Sequence, residues 1–481
     1  MIPIVPSGAA GGGGETARVV SLYQKAPTIY ARAVHGRFAR WRWAFVWLTQ
    51  LVFYGLPWLG WNGRQAVLFD LEARRFYLFG LVLYPQDFVY LTALLVLSAL
   101  GLFLFTAVAG RLWCGYACPQ TVYTELFQWV ERRIEGDRVA RMRLDASPWG
   151  WNRVWRKGAK HACWVVIGLV TGVTFVGYFT PIRGLLGAVA SLDLGPWETF
   201  WSLFYGVATW GNGGFMREQV CKYMCPYARF QSAMFDRDTM VIGYDAERGE
   251  PRGPRPHKAD PRARGLGHCV DCTLCVQVCP TGIDIRDGLQ YECIGCAACI
   301  DACDGVMDKL GYARGLIRYA TENGIAGRWS RSRMLGRVLR PRVLVYAAVV
   351  GAGALAVVTS LALRAPFRVD VLRDRGVLAR SVDDGRIENV YRLQIMNATE
   401  RVQRYAVAVE GLPGLAAVDA PTAEVGPAQA RWVPVRVQLP ADAAAAASRG
   451  SNPIRFRVER LAEGAQGASV VLEKSTFIVP R

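Results

Sequence analysis

Charged residues are spread unevenly along this chain, and five stretches have none. Residues 43–63, 88–110, 161–182, 199–216 and 343–363 lack Asp, Glu, Lys and Arg. Each approaches the ~20 residues needed to cross ~30 Å of hydrocarbon, which predicts five transmembrane helices. The fourth is the shortest and most polar, with Trp210-Gly211-Asn212-Gly213-Gly214 at its end. From residue 366 the period changes to two. Phe367–Val371, Tyr391–Ile395, Tyr405–Val409, Trp432–Val437, Ile454–Val458 and Ser475–Val479 alternate apolar and polar positions between Gly, Pro and Asn turns. That pattern predicts half-buried antiparallel strands, here an all-β immunoglobulin-like sandwich without disulfides.

Composition agrees with a multi-part membrane protein: 481 residues, 52% hydrophobic, with 16 Trp. The first apolar stretch is too long and aromatic for a cleavable signal and reads as an uncleaved anchor. Residues 1–40, with Gly11 to Gly14, read as a mobile cytoplasmic tail. Charge sets the expected orientation. Segment 111–160 carries ten Arg or Lys, from Arg111 to Lys160, and 217–342 is also basic, whereas 182–198 has only Arg183. The positive-inside rule then puts the N-terminus, 111–160 and 217–342 in the cytoplasm, leaving 366–481 outside. The net charge of +18 is explained by loops near anionic lipid, and no nucleic-acid-binding signature accompanies it.

Chemistry enters with the cysteines. Cys269-x2-Cys272-x2-Cys275-x3-Cys279-Pro280 is followed by Cys293-x2-Cys296-x2-Cys299-x3-Cys303. Each run can wrap three thiolates around one iron–sulfur cube while its fourth reaches the neighbouring cube, as in two-cluster ferredoxins. The expected assignment is Cys269, Cys272, Cys275 and Cys303 on one [4Fe–4S] cluster, and Cys293, Cys296, Cys299 and Cys279 on the other. Structural zinc or disulfides are the plain alternatives, but zinc favours thiolate pairs separated by longer gaps. All 13 cysteines lie at or before residue 303, which suits a reducing compartment.

The membrane part, 41–226, repeats a design. One expected hairpin (43–63 with 88–110) leads into Arg111-Leu-Trp-Cys114-Gly-Tyr-Ala-Cys118-Pro119. A second (161–182 with 199–216) leads into Arg217-Glu-Gln-Val-Cys221-Lys-Tyr-Met-Cys225-Pro226. Cysteines at i and i+4 would share a helix face, and the Pro would stop that helix and could seed another, such as 120–135. Cys114, Cys118, Cys221 and Cys225 are therefore candidates for a thiophilic metal (Cu(I) or a further iron–sulfur centre), for a dithiol relay, or for plain packing. His161, Cys163 and Met224 could be auxiliary ligands, with ordinary packing favoured for each. The remaining parts are a Pro/Arg-rich cytoplasmic linker at 227–268, a ferredoxin-like insert at 269–310, a basic return segment at 311–342 and the fifth helix at 343–363.

The motifs Trp113-Cys-Gly-Tyr-Ala-Cys-Pro119, Cys221-Lys-Tyr-Met-Cys-Pro226, Cys279-Pro-Thr-Gly-Ile-Asp284 and Tyr291-Glu-Cys-Ile-Gly-Cys-Ala-Ala-Cys299 resemble those of the FixG/CcoG (RdxA) family. These are cytochrome c oxidase accessory proteins within a wider group that includes NapH and NosR. Gln65–Asp70 is also family-like, and the C-terminal domain separates the chain from NapH-like relatives. Asp304 departs from the ferredoxin pattern, where Pro often follows the last cysteine, and is expected to change only a turn. The resemblance implies a role in assembling cbb-type cytochrome c oxidase in the inner membrane, by reducing Cu(II) to Cu(I) for the oxidase copper site. The eight cysteines would pass electrons, and Cys114, Cys118, Cys221 and Cys225 would be the copper or relay site. Implied partners are oxidase subunits or assembly factors, a copper carrier and an electron donor. A quinol-linked electron conduit and a non-catalytic assembly scaffold are the rival readings.

Overall fold

The computed structural model describes residues 28–480 except 257–259, 375, 377–378, 419–421 and 462–468. Its main helices are α1 (Arg37–Gly55), α2 (Phe88–Ala109), α3 (Leu112–Tyr116), α4 (Pro119–Ile134), α5 (Trp151–Val176), α6 (Pro196–Gly211), α7 (Pro226–Met234), α8 (Ala298–Leu310) and α9 (Pro341–Ala362). Pro85–Ala109, Trp151–Val176 and Pro341–Ala362 are long and apolar enough to cross a membrane. The other two uncharged stretches are also helical but shorter: α1 has 19 residues and α6 has 16, continued by a π-helical turn at Asn212–Met216. α5 starts ten residues earlier than its uncharged stretch, because the basic 151–160 segment is itself helical.

Five of these helices run alternately between two ends. At one end α1 begins beside the cysteine-rich region, where the buried Asp301 carboxylate accepts N–H bonds from Phe38 and Ala39 at 3.1 and 2.7 Å. Free N–H groups at a helix start favour such an anion. α2 ends at the same place, its Ala107 carbonyl accepting from Arg340, the residue before α9, at 2.6 Å. Of the tail expected at 1–40, residues 1–27 lie outside the described residues. Residues 28–36 are held: Tyr30 donates to Asp145 at 2.7 Å and Arg32 N–H to the Gln277 carbonyl at 2.8 Å.

The second expected hairpin forms, and glycine is the reason. Gly168 and Gly172 on α5 face Gly206 and Ser202 on α6, so closely that a Cβ at Gly172 would sit 2.0 Å from the Ser202 carbonyl oxygen. Small residues four apart let apolar helices touch backbone to backbone. The first expected hairpin does not form as a packed pair. α2 lies mainly against α9, with Leu97 over Gly353 and Tyr90 bonded to Ser360 at 2.9 Å. α1 leans on α5 instead, where Tyr54 meets Thr171 at 2.7 Å. The connection 60–83 folds into short strands that part the two helices.

Below α5, the buried Glu131 of α4 bonds Arg217 at 2.6 Å and Arg141 at 2.7 Å, with Lys160 at 3.6 Å. Burial works against its ionisation. Arg217, Arg141 and Lys160 outweigh that and hold its carboxyl below the usual glutamate range.

At the opposite end stands the sandwich. One sheet contains Phe367–Arg373, Ile387–Asn397 and Ala430–Leu439; the other contains Gln403–Glu410, Thr422–Val425, Gly450–Arg460 and Ser469–Val479. Phe367, Tyr391, Tyr405, Phe456 and Phe477 fill the space between them. The expected alternation holds: Val433, Val435 and Val437 are buried while Trp432 is exposed. The domain is seated on the three-stranded sheet Val67–Asp70, Arg75–Leu78 and Leu81–Leu83. Leu68, Tyr77, Val82 and Tyr84 pack there against Met396 and Ala428. The buried Asp87 pairs with Arg364 at 2.7 Å and Arg368 at 2.9 Å, tying the start of α2 to the end of α9.

Two outcomes are expected. Gly172→Leu forces α5 and α6 apart and lowers stability by about 2 kcal/mol or more, read as an earlier thermal transition in detergent. Glu131→Gln strands buried cations and costs about 3–5 kcal/mol. In the parent protein, the Glu131 contribution is present above pH 4.5, the ordinary glutamate value. It is lost as pH falls through the lower folded value, so unfolding monitored between pH 6 and 3 flattens in the variant.

Candidate metal centre

The two cysteine runs fold alike. Asp271 and Thr273 flank the middle cysteine of the first with φ of 52° and 56°; Gly295 and Ala297 flank Cys296 with φ of 69° and 59°. Left-handed residues at matching positions curl each loop about a centre, a conformation side-chain-bearing residues adopt at some cost. Around both loops lie Ile242, Ile285, Ile300, Met307 and Ile317. Two of these come from strands Val241–Tyr244 and Ile317–Ala320, which pair antiparallel and enclose the unit. The linker expected at 227–268 and the return segment at 311–342 are thus corrected. They carry α7 and both enclosing strands, because an apolar cluster shell needs cover from beyond the cysteine runs.

Two cavities open inside this shell. One is lined by Cys269, Cys272, Cys275 and Cys303; the other by Cys279, Cys293, Cys296 and Cys299, with Cys275 at its margin. Each cavity therefore draws three thiols from one run and the last from the other. None of the 13 cysteines forms a disulfide. Burial pushes the Cys303 and Cys293 thiols up to about 12, and those of Cys275 and Cys296 to about 11. Left alone they are protonated; a cationic core among them is what makes thiolates stable there, so a cluster fits this donor set.

Asp304 has a larger effect than a turn. After Cys279, Pro280 closes a single helical turn, Leu274–Gln277, whereas Asp304 leaves α8 free to run from Ala298 to Leu310 with Cys303 inside it. The Asp304 carboxylate accepts from Gly315 N–H at 2.9 Å, turning the chain towards the second enclosing strand.

The four remaining site cysteines meet beside the second cavity. α3 carries Cys114, and Cys221 lies in a π-helical turn, Val220–Met224. The second member of each pair is off that turn: Cys118 and Cys225 are N-caps of α4 and α7, with Pro119 and Pro226 at the first helical position. The shared helix face expected for each pair is thus corrected, since proline ends one helix and starts the next. Cys221 is within electrostatic reach of Cys118, Cys114, Cys225 and Arg111. Burial pushes Cys114 up to about 11 and Cys221 to about 12. The Cys114 thiol donates to the fully buried Gln231 at 3.4 Å.

Contact with the cluster loops is backbone to backbone. A Cβ at Gly115 would lie 2.8 Å from Cys296 N and Cα, and one at Gly295 would lie 3.1 Å from the Arg111 carbonyl. Tyr319 donates to the Gly295 carbonyl at 2.6 Å and also touches the Tyr116 hydroxyl at 3.4 Å. The buried Arg42, in the first turns of α1, donates to the Cys296 carbonyl at 2.8 Å. Sequence reasoning missed Gly115, Gly295 and Arg42; the glycines' only signal was position inside a cysteine motif, and Arg42, far from every cysteine in the chain, carried none. His161 stacks on Phe215 at 5.5 Å and Cys163 is exposed; Met224 shares the turn of Cys221, with its side chain exposed.

Paired cysteine cavities enclosed by strands, joined to apolar helices long enough to span a bilayer, define an iron–sulfur electron-transfer protein of the membrane. Comparison with known proteins agrees. Residues 216–322 match the family of 4Fe-4S dicluster domains, 91–136 a 4Fe-4S binding domain, and 357–480 the IG-like fold at the C-terminal of FixG. Nitrogen fixation protein FixG of Rhizobium meliloti (strain 1021) is 42% identical over 423 residues, covering 82% of this chain and 81% of that protein. Protein RdxA of Cereibacter sphaeroides is 38% identical over 474 residues, covering 95% and 98%. A crystal structure of a FixG-related protein from Vibrio parahaemolyticus aligns with 24% of this chain and 97% of its own, at 23% identity and a TM-score of 0.20. The chain belongs to the FixG/RdxA family.

Crossed ligation has a direct test. Cys303→Ser should perturb the same paramagnetic signal as Cys269→Ser, and Cys279→Ser the same as Cys293→Ser. Pairing of Cys279→Ser with Cys269→Ser would mean that each run serves its own cluster.

Proposed function

We propose that this protein delivers single electrons for the reduction of Cu(II) to Cu(I) during assembly of cbb-type cytochrome c oxidase. The carrying observation is the direct contact of Gly115, next to Cys114, with the backbone of Cys296. In this reading Cys269, Cys272, Cys275 and Cys303 hold one [4Fe–4S] cluster, and Cys279, Cys293, Cys296 and Cys299 the other. Such clusters supply single electrons. The chain's own residues bury the second cavity, and Arg42 and Arg111 place positive charge beside it. Cys114, Cys118, Cys221 and Cys225 form the adjoining copper or relay site. Thiolates favour Cu(I) over Cu(II), which makes reduction of a bound cupric ion easier.

The same reading has five membrane crossings, with the N-terminus and cluster region cytoplasmic and the sandwich periplasmic. Supporting it are the alternating helix directions, the basic residues gathered at the cluster end, and two sets of exposed tryptophans. Trp41, Trp47, Trp149, Trp151 and Trp155 stand towards the cluster end; Trp58, Trp61 and Trp197 stand towards the sandwich end. Tryptophan collects at both membrane–water interfaces. On the periplasmic side the sandwich would dock oxidase subunits, assembly factors or a copper carrier.

A quinol-linked conduit is the second reading. A crevice lined by Trp43, Trp47 and Trp129 reaches both Cys221 and Cys296, which would let a lipid-soluble donor approach the thiols.

The experiment is anaerobic mixing of dithionite-reduced, desalted protein with Cu(II) and a Cu(I)-specific chelator. Cu(I) should form in step with reoxidation of the clusters, at about one copper per electron. Clusters that stay reduced in the presence of Cu(II) exclude the cupric reductase, and reduction of the clusters by added quinol in membranes favours the conduit.

A further inference from the structure

We propose that the crevice between α1 and α4 seats the headgroup of an anionic phospholipid, drawn from the leaflet at the cluster end. The proposal rests on the membrane placement given above and goes beyond it, naming a resident lipid in a built site.

Shape argues first. α1 and α4 meet at Tyr54 and Tyr123, whose hydroxyls are 3.5 Å apart. Towards the cluster end they line a crevice of about 1490 Å³, with Val278, Thr281 and Ile294 of the cysteine domain on its other side. Both helices carry the same order of side chains. On α1, Arg40, Trp47 and Leu51 fall at i, i+7 and i+11 and share one face. On α4, Arg133, Trp129 and Leu126 fall at i, i−4 and i−7 and do the same. Arg40, Trp47, Leu126, Trp129 and Arg133 all line the crevice, and the exposed Leu51 continues the α1 face beyond it.

Each face therefore runs from a cation at the cluster end, through a tryptophan, to an aliphatic side chain deeper in. Arg40 and Leu51 are roughly 16 Å apart along the helix, about one leaflet of hydrocarbon. An anionic head, an interfacial glycerol and an acyl chain meet those three zones in turn. A free anion would leave the tryptophans and leucines unused, and a quinone ring would leave the arginines unused.

Charge argues second. Most ions lining the crevice are already engaged. Arg132 pairs with Glu125 at 3.5 Å, Arg314 with Asp308 at 2.7 Å and Arg217 with Glu131 at 2.6 Å, while Arg42 donates to the Cys296 carbonyl. Asp301, Asp137 and Asp304 accept backbone N–H bonds from Ala39, Ala33 and Gly315. Arg32, Arg37, Arg40 and Arg133 line the crevice, are exposed, and have no carboxylate partner among the described residues. Against these four cations stands Glu218, the lining carboxylate left without such a contact. Arg133 lies over the Trp129 ring at 5.5 Å, which holds its guanidinium at the rim. The surplus of cations beside tryptophan, at the level where α1 enters the bilayer, fits a phosphate that carries its own apolar tail.

The test uses the full chain in a mild detergent, read by native mass spectrometry as phosphatidylglycerol or phosphatidylcholine with matched acyl chains is added. The parent protein should retain one phosphatidylglycerol per chain and prefer it by about tenfold or more. Arg40→Gln combined with Arg133→Gln should abolish that preference. Both arginines are exposed, so the fold persists, and cluster absorbance checks it. Arg153→Gln combined with Arg333→Gln should leave the preference intact, since these arginines stack on Trp149 and Trp329 outside the crevice. Inorganic phosphate should not displace the lipid. Equal retention of the two lipids overturns the proposal, as does displacement by phosphate or an equal loss in the second variant. A quinone copurified in place of the phospholipid also overturns it. Lipid retention is read without copper, so this proposal and the cupric reductase can fail separately.

Discussion

The seating of the membrane helices on the cysteine domain depends on two glycines. Gly115 and Gly295 let the segment after α2 lie on the second cysteine loop with no side chain between. Electrons cross short gaps through packed protein, and a methyl group at either position would meet backbone that has nowhere to go. Tyr116 and Tyr319 hold the contact from one side, and Arg42 from another. The membrane helices and the cysteine domain are therefore one packed object, not a domain on a tether.

Charge is handled the same way at several points: each buried ion is met by a residue from a distant part of the chain. Glu131 gathers Arg141, Lys160 and Arg217 at the base of α5. Asp301 caps α1 from the cysteine domain, and Asp87 joins the start of α2 to the end of α9. Such pairs cost desolvation and are weak stabilisers in themselves. Their value lies in fixing which helix meets which domain, because a wrong pairing would leave a buried charge alone.

Among the described residues, the sandwich and the cysteine domain are joined through the helices between them and the small sheet at 67–83. α2 and α9 lie together along their length, Asp87 with Arg364 fastens one end, and Arg340 with Ala107 the other. The far end of that helix pair lies beside Thr239 and the first enclosing strand.

Much of this was written in local patterns. Hydrophobic runs and period-two alternation depend on neighbours a few residues away, so the helices and strands were legible, as were the eight cysteines in two runs. The parting of the first hairpin was not, because it follows from a small sheet at 60–83 and from Gly353 on a helix 250 residues later. Nor was the reach of the cysteine domain, whose cover comes from 241–244 and 317–320. The Pro280 and Asp304 contrast was visible as a difference of letters, but its outcome, a helix through Cys303, depended on where Gly315 sits. Sequence alone determined which residues could bind iron and, through their spacing, which sulfurs would share a cavity; only tertiary structure decided which backbone touches them, since that depends on contacts between segments that sequence spacing does not relate.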